Sequence, residues 1–173
     1  GSGSNNLNWY HDLINSEGAW DISLGSENIK IAIVDNAVDI SHLDLNVTKA
    51  YDVADNDLDP SPPLNFQQSS GWSHGTHAAG LAAALTNNGI GIASLGGNAE
   101  IIAVKASYDS TEDGEVIQAT YNGVVWACEN GANIVNMSLG SYSFSNSVQA
   151  IFNGYTNVVF LGAAGNDNST DRM

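Results

Sequence analysis

"IKIAIVD", residues 29–35, decides the fold. Its core, 30–35, is a nearly unbroken run of apolar residues, mostly β-branched, that ends in a carboxylate. Such a run has no solvated face. It reads as a strand covered on both sides, which is the pattern of a parallel sheet. Three later runs repeat it: "EIIAVKA" (100–106), "NIVNMSL" (133–139) and "NVVFLGAAG" (157–165). Helical patterns separate them. Residues 74–86 are small and apolar. Residues 114–130, "GEVIQATYNGVVWACEN", place Val116, Ala119, Tyr121, Val124 and Ala127 at helical spacing, with Gly131 as a stop. Residues 145–154 form a third, weaker helical pattern. Strand alternating with helix predicts an α/β fold: a doubly wound, mainly parallel sheet with helices on both faces. In such sheets the chemistry lies beyond the carboxyl ends of the strands.

Bulk properties narrow the function. With 173 residues, 43% of them hydrophobic and 13% charged, the chain suits one globular domain with a sizeable core. A net charge of −15 with only four Lys and Arg argues against nucleic acid as a partner. The same charge suits divalent cations. No apolar run is long enough to span a bilayer, so no membrane is expected. No signal peptide opens the chain, so any export signal has been removed or never existed. Cys128 is alone and reads as a small buried hydrophobe on a helix. The opening "GSGS" (1–4) reads as an appended remnant, and 5–173 as part of one domain. The segment 55–71, "DNDLDPSPPLNFQQSSG", reads as a long polar loop holding all three prolines.

Three polar residues fall where strands or helices end. Asp35 closes the first strand, where it is either a turn aspartate or part of a site. "GWSHGTHAAGLAAAL" (71–85) places His74 and His77 three apart at a helix start. Each is a metal ligand, a proton carrier or a satisfied core residue. Zinc would need a third ligand and a glutamate as in HExxH, and "HGTH" has neither nearby. Asn166 follows the last strand, where it is either a turn residue or an oxyanion donor.

The segments "IAIVDNAVDISHLDL", "SHGTHAAGLAAAL", "NNGIGIASLGGNAEIIAVK", "IVNMSLGS" and "LGAAGN" resemble, in order and spacing, the signature segments of subtilisin-like serine proteases. The resemblance covers nearly the whole chain after residue 7. It implies Asp35 as triad acid, His74 as general base, Asn166 as oxyanion donor and His77 as a structural core histidine bonded through a ring nitrogen. It implies a secreted serine endopeptidase, of which 5–173 are the N-terminal part of the catalytic domain. An inactive pseudoprotease that binds or regulates is the alternative. Protein or peptide substrate is expected along Ser138, Leu139 and Gly140, with Ala163, Ala164 and Gly165 as the opposite pocket wall. Asp167 is expected at the pocket rim, favouring a basic side chain.

The same resemblance implies Ca²⁺ at two places. One takes Asp44, the side chain of Asn88, carbonyls of Thr86, Ile90 and Ile92, and Asn5. The other is "DVADNDLD", where Asp52, Asp55 and Asp57 are dense enough to repel unless a cation neutralises them or solvent screens them; it resembles a calcium loop of some family members, and a solvated acidic loop is the alternative. The family's nucleophile lies in a "GTSMA"-like segment downstream of "AAGN", and these 173 residues hold none. Ser138 lacks the first glycine of a G-x-S-x-G elbow. The fold is therefore expected to be incomplete in this chain, with the serine on a companion C-terminal chain. Two residues depart from the family: Asn36 and Ala37 stand where it has Asp, Ser or Thr and then Gly.

Overall fold

A computed structural model of the chain describes residues 9–64, 71–114, 116–140 and 146–166. Two short helices open it, α1 (Trp9–Leu13) and α2 (Ser16–Trp20), joined through Asn15 in the left-handed region at φ 56°. Then follow β1 (Lys30–Asp35), β2 (Val47–Asp52), α3 (His74–Ala83), β3 (Glu100–Lys105), α4 (Thr120–Glu129), β4 (Ile134–Met137), α5 (Asn146–Gly154) and β5 (Val159–Gly162). The strands form one sheet in the order β2-β3-β1-β4-β5, and every pairing is parallel.

The alternation along β1 explains the double winding. Ala32 and Val34 point to one face and join Ile102, Val104, Val135 and the α4 residues Val124 and Ala127. Ile33 points to the other and joins Ile101, Ala103 and the α3 residues Ala79 and Ala83. All of these are fully buried. Removing each large aliphatic side chain from water stabilises the fold by roughly 1.5–3 kcal/mol. Gly123 lets α4 lie close on the sheet, because a Cβ there would stand 2.8 Å from Val34 Cγ1.

The topology also places a site. After β3 the chain crosses by α4 to the other side of β1 and adds β4 there. The carboxyl end of β1 is thus the switch point of the sheet, where ligand crevices form in this class. Asp35 is its last residue. On the far side, β5 pairs only with β4 among the described residues, and Val159 and Leu161 are 55% and 49% exposed.

Several expectations change. The helix expected over 114–130 begins only at Thr120. Gly114 adopts φ 64°, and the following segment is drawn to the end of β3, with Ala119 N–H donating to Ala106 O and Ser107 Oγ–H to Val116 O. Val116 and Tyr121 are consequently exposed rather than on the buried face. Strand β2 had no expectation, since "VTKAYD" is an edge strand with a bulge at Val47–Lys49 and a largely exposed first half. Cys128 is half-buried against the α4 side of the core.

Candidate active site

The site is built on the end of β1 and the start of α3. Asp35 is fully buried. Its Oδ1 accepts from Asn36 N–H at 2.8 Å and from His74 Nδ1 at 2.8 Å. Its Oδ2 is buried with no hydrogen-bond partner among the described residues. A carboxylate that accepts from Nδ1 fixes the tautomer: the proton sits on Nδ1, and Nε2 keeps its lone pair. The Asp35 hydrogen bond, reinforced by its charge and opposed by partial burial, raises the His74 pKa above the usual 6.5.

Two contacts set the position of His74, the first residue of α3. Gly75 lies against β1 so closely that a Cβ would meet Ala37 O at 2.2 Å. Asn36, 2% exposed, bridges three segments. Its Oδ1 accepts from Ala37 N–H at 2.7 Å and Gly75 N–H at 3.2 Å. Its Nδ2 donates to Gly71 O at 2.6 Å and Gly114 O at 3.1 Å. Ser73, at the N-cap, makes no side-chain cap bond. Asn36 thus supplies from β1 the acceptor that a capping residue normally gives a helix start. Thr76 adds a second tie, its Oγ1 accepting from Asp39 N–H at 2.9 Å. The sequence signal for this hub was Asn36 itself, the departure from the family pattern. The other departure is accommodated: Ala37 is fully buried and has no positive φ.

Asn36→Ala is expected to strand the buried N–H groups of Ala37 and Gly75 and the Gly114 carbonyl, while Gly71 O keeps His74 N–H at 3.1 Å. Stability should fall by about 2 kcal/mol or more. The corresponding drop in Tm, roughly 5 °C, is measurable by calorimetry; an unchanged Tm would mean the bridge contributes nothing.

His74 also lines an open cavity of about 370 Å³, with His77, Ala78, Leu81, Ala82, Asn136 and Ser138. His77 is exposed on this cavity, which corrects its reading as a core histidine. The reason is geometric: it lies on the α3 face turned away from the sheet core, where Leu81 is 47% exposed too.

The remaining expected residues lie along the same end of the sheet. Ser138, Leu139 and Gly140 follow β4, and Ser138 Oγ accepts from Asn136 Nδ2 at 2.8 Å. Ala163, Ala164 and Gly165 follow β5 and are exposed, with Ala163 N–H donating to Met137 O at 3.2 Å. Gly165 takes φ 83° and turns the chain into the exposed Asn166. Asp35 and Asn166 therefore stand at one edge, two strands apart, since β4 separates β1 from β5. Asp167 and Asn5 lie outside the described residues.

Of the metal candidates, Asp44 is 2% exposed and accepts from Asn88 Nδ2 at 2.7 Å and Ile92 N–H at 3.0 Å. The loop around it bends through Asn87, Gly89 and Gly91, all at positive φ. Gly91 must be glycine there, because a Cβ would meet Asp44 Oδ2 at 2.1 Å. A carboxylate, a carboxamide and the main-chain oxygens of Thr86, Ile90 and Ile92 are the oxygen types a hard cation takes, but here Asn88 Oδ1 accepts from Ile90 N–H at 3.0 Å and Asn88 faces Asp44 through its Nδ2. In the second loop the carboxylates of Asp52 and Asp55 meet that of Asp109, while Asp57 pairs with Asp52 only through the main chain, at 3.0 and 3.2 Å. Asp57 instead accepts from Asp59 N–H at 2.8 Å. Sequence reasoning missed Asp109 and Lys105, whose ammonium lies among these carboxylates. The signal was a lysine closing an otherwise apolar strand.

A parallel sheet with a carboxylate-bound imidazole at its switch point defines a doubly wound α/β protein with an acid–base pair at the strand ends. Its family is known more closely. The sequence model of the subtilase family (Peptidase_S8) matches residues 26–172, and the chain belongs to that family. It is 38% identical over 156 residues to the thermophilic serine proteinase of Bacillus sp. (strain AK1), covering 88% of this chain and 36% of that protein. It is 40% identical over 156 residues to thermitase of Thermoactinomyces vulgaris, covering 88% of this chain and 52% of thermitase. The chain thus spans between about a third and about half of the length of these curated relatives. The crystal structure of MycP1 with its N-terminal propeptide removed shares the fold, with a TM-score of 0.67 at 19% identity, over 95% of this chain and 50% of that one. No helix among the described residues is long and apolar enough to cross a membrane.

Proposed function

We propose that this chain is the acid–base and oxyanion portion of a secreted serine endopeptidase. The observation that carries the reading is the 2.8 Å bond between His74 Nδ1 and buried Asp35, beside an open cavity at the switch point. A serine hydroxyl is a poor nucleophile until a base takes its proton. His74 Nε2 takes it as the oxygen attacks the peptide carbonyl, then delivers it to the leaving amine. Water repeats the sequence on the acyl ester. Asp35 holds the tautomer and stabilises the imidazolium. The Asn166 carboxamide donates to the oxygen that becomes negative in the tetrahedral intermediate.

An extended substrate pairs its main chain with Ser138, Leu139 and Gly140, while Ala163, Ala164 and Gly165 leave the side-chain pocket open. Asp167 at its rim favours a basic side chain. The nucleophilic serine would be supplied by polypeptide outside these 173 residues. Calcium would be held by Asp44, Asn88 and the carbonyls of Thr86, Ile90 and Ile92, with Asn5, and would brace the loop that follows α3. Its role is structural and enters no step of the reaction.

A fluorophosphonate probe tests this on the full preparation, with each chain weighed afterwards. The expected adduct is on a serine outside residues 1–173 and is lost in His74→Ala. A folded preparation that takes no label would overturn the reading in favour of an inactive relative, and label on Ser138 would overturn the assignment of the nucleophile.

A further inference from the structure

The acidic loop after β2 and the segment after β3 meet around one positive charge, and that charge belongs to the protein. We propose that the Lys105 ammonium is the resident cation of the Asp52–Asp55–Asp109 cluster, and that this pair of loops is held without calcium.

Lys105 is the last residue of β3, and its side chain is 1% exposed. Its Nζ lies 2.6 Å from Asp52 Oδ2, donates to Asp109 Oδ1, and stands 3.9 Å from Asp55 Oδ2. The ring of Trp72 lies on another side of it, with its centroid at 5.8 Å. One oxygen from each of the three carboxylates lies within 4.8 Å of the others. A calcium ion among them would need six to eight oxygens at about 2.3–2.6 Å. It would also stand beside a buried ammonium, with like charges a few ångströms apart.

Four of the six carboxylate oxygens are already engaged. Asp52, fully buried, accepts at Oδ1 from Ala54 N–H at 2.8 Å and Asp55 N–H at 2.9 Å, and at Oδ2 from Lys105. Asp55 Oδ2 accepts from Asp109 N–H at 2.7 Å. The rest of the acidic run closes on its own backbone, Asp57 onto Asp59 N–H and Asp59 onto Ser61 N–H. The donor set therefore does not fit a divalent cation; it fits a primary ammonium, which needs about three acceptors. The consequence is mechanical. Lys105 ties the ends of β2 and β3 together, and with them the 107–114 segment, whatever the calcium concentration.

Two measurements test this. The double variant Asp55→Asn, Asp109→Asn is compared with wild type for bound Ca²⁺, by calorimetric titration and elemental analysis after dialysis. The same stoichiometry is expected, and one ion fewer would overturn the proposal. Lys105→Gln is then heated in excess chelator. A buried charge left without its partner is expected to lower Tm by roughly 10 °C, and an unchanged Tm would overturn the proposal. A Lys105→Gln chain that does not fold agrees with the proposal, and the double variant decides independently.

Discussion

Asp35→Asn is expected to lower kcat of the complete protease about 10⁴-fold while leaving KM nearly unchanged, a magnitude carried over from serine proteases of another fold. The side chains are isosteric, so packing around this buried group survives. The hydrogen bonding does not. An asparagine amide can donate to Nδ1, which turns the imidazole to the Nε2–H tautomer. That ring cannot take a proton from a hydroxyl. The same change removes the main cause of the raised His74 pKa, the Asp35 hydrogen bond. The sign follows from linkage. A folded pKa above 6.5 means that the His74–Asp35 pair stabilises the fold fully below about pH 6.5 and that this contribution disappears as pH rises through the folded value. In Asp35→Asn that pH dependence should vanish and His74 should titrate lower. Steady-state kinetics on a peptide substrate and an NMR titration of the His74 ring check both halves. A kcat close to wild type would remove Asp35 from the mechanism.

Gly75→Ala is expected to be strongly destabilising although it adds a single methyl group. In most helices this exchange stabilises by up to about 1 kcal/mol. Here the new Cβ would lie 2.2 Å from Ala37 O and 2.8 Å from Asp35 Cβ. The obstacles are main-chain atoms and a buried carboxylate stem, which cannot turn aside as a flexible side chain can. Either α3 lifts from β1, taking His74 from Asp35, or the strain stays in place. Overpacking of this kind costs about 3 kcal/mol or more, roughly 10 °C in Tm. Gly80, in the same helix, is the control: its nearest contact would be Ile92 Cδ1 at 3.8 Å. Gly80→Ala should hold or raise Tm. Calorimetry on both variants separates the contact from helix propensity, and equal effects would show that the approach of Gly75 to β1 is not what matters.

The strands at 30–35 and 100–105 were legible because their residues are apolar on both faces, a pattern that a buried parallel strand alone requires at that length. Strand β2 was not, because Thr48 and Lys49 are exposed at a sheet edge and break the pattern. The start of α4 was displaced because helical spacing from Val116 onward says nothing about the left-handed Gly114 or the ladder bond that pulls Ala119 to β3. Asp35 and His74 were found through strand-end position and the "SHGTHAAG" segment, and they meet in space. Density of Asp in sequence pointed to Asp57, whereas the third carboxylate comes from Asp109, more than fifty residues away, which only the sheet brings close. His77 was read as a core histidine from the family resemblance, whereas it shares the cavity face of α3 with His74 and is exposed.

The outer rim of β5 is where another strand can still be laid on the described sheet. Val159 and Leu161, 55% and 49% exposed, would be covered by it, and the main-chain groups along that rim would find partners.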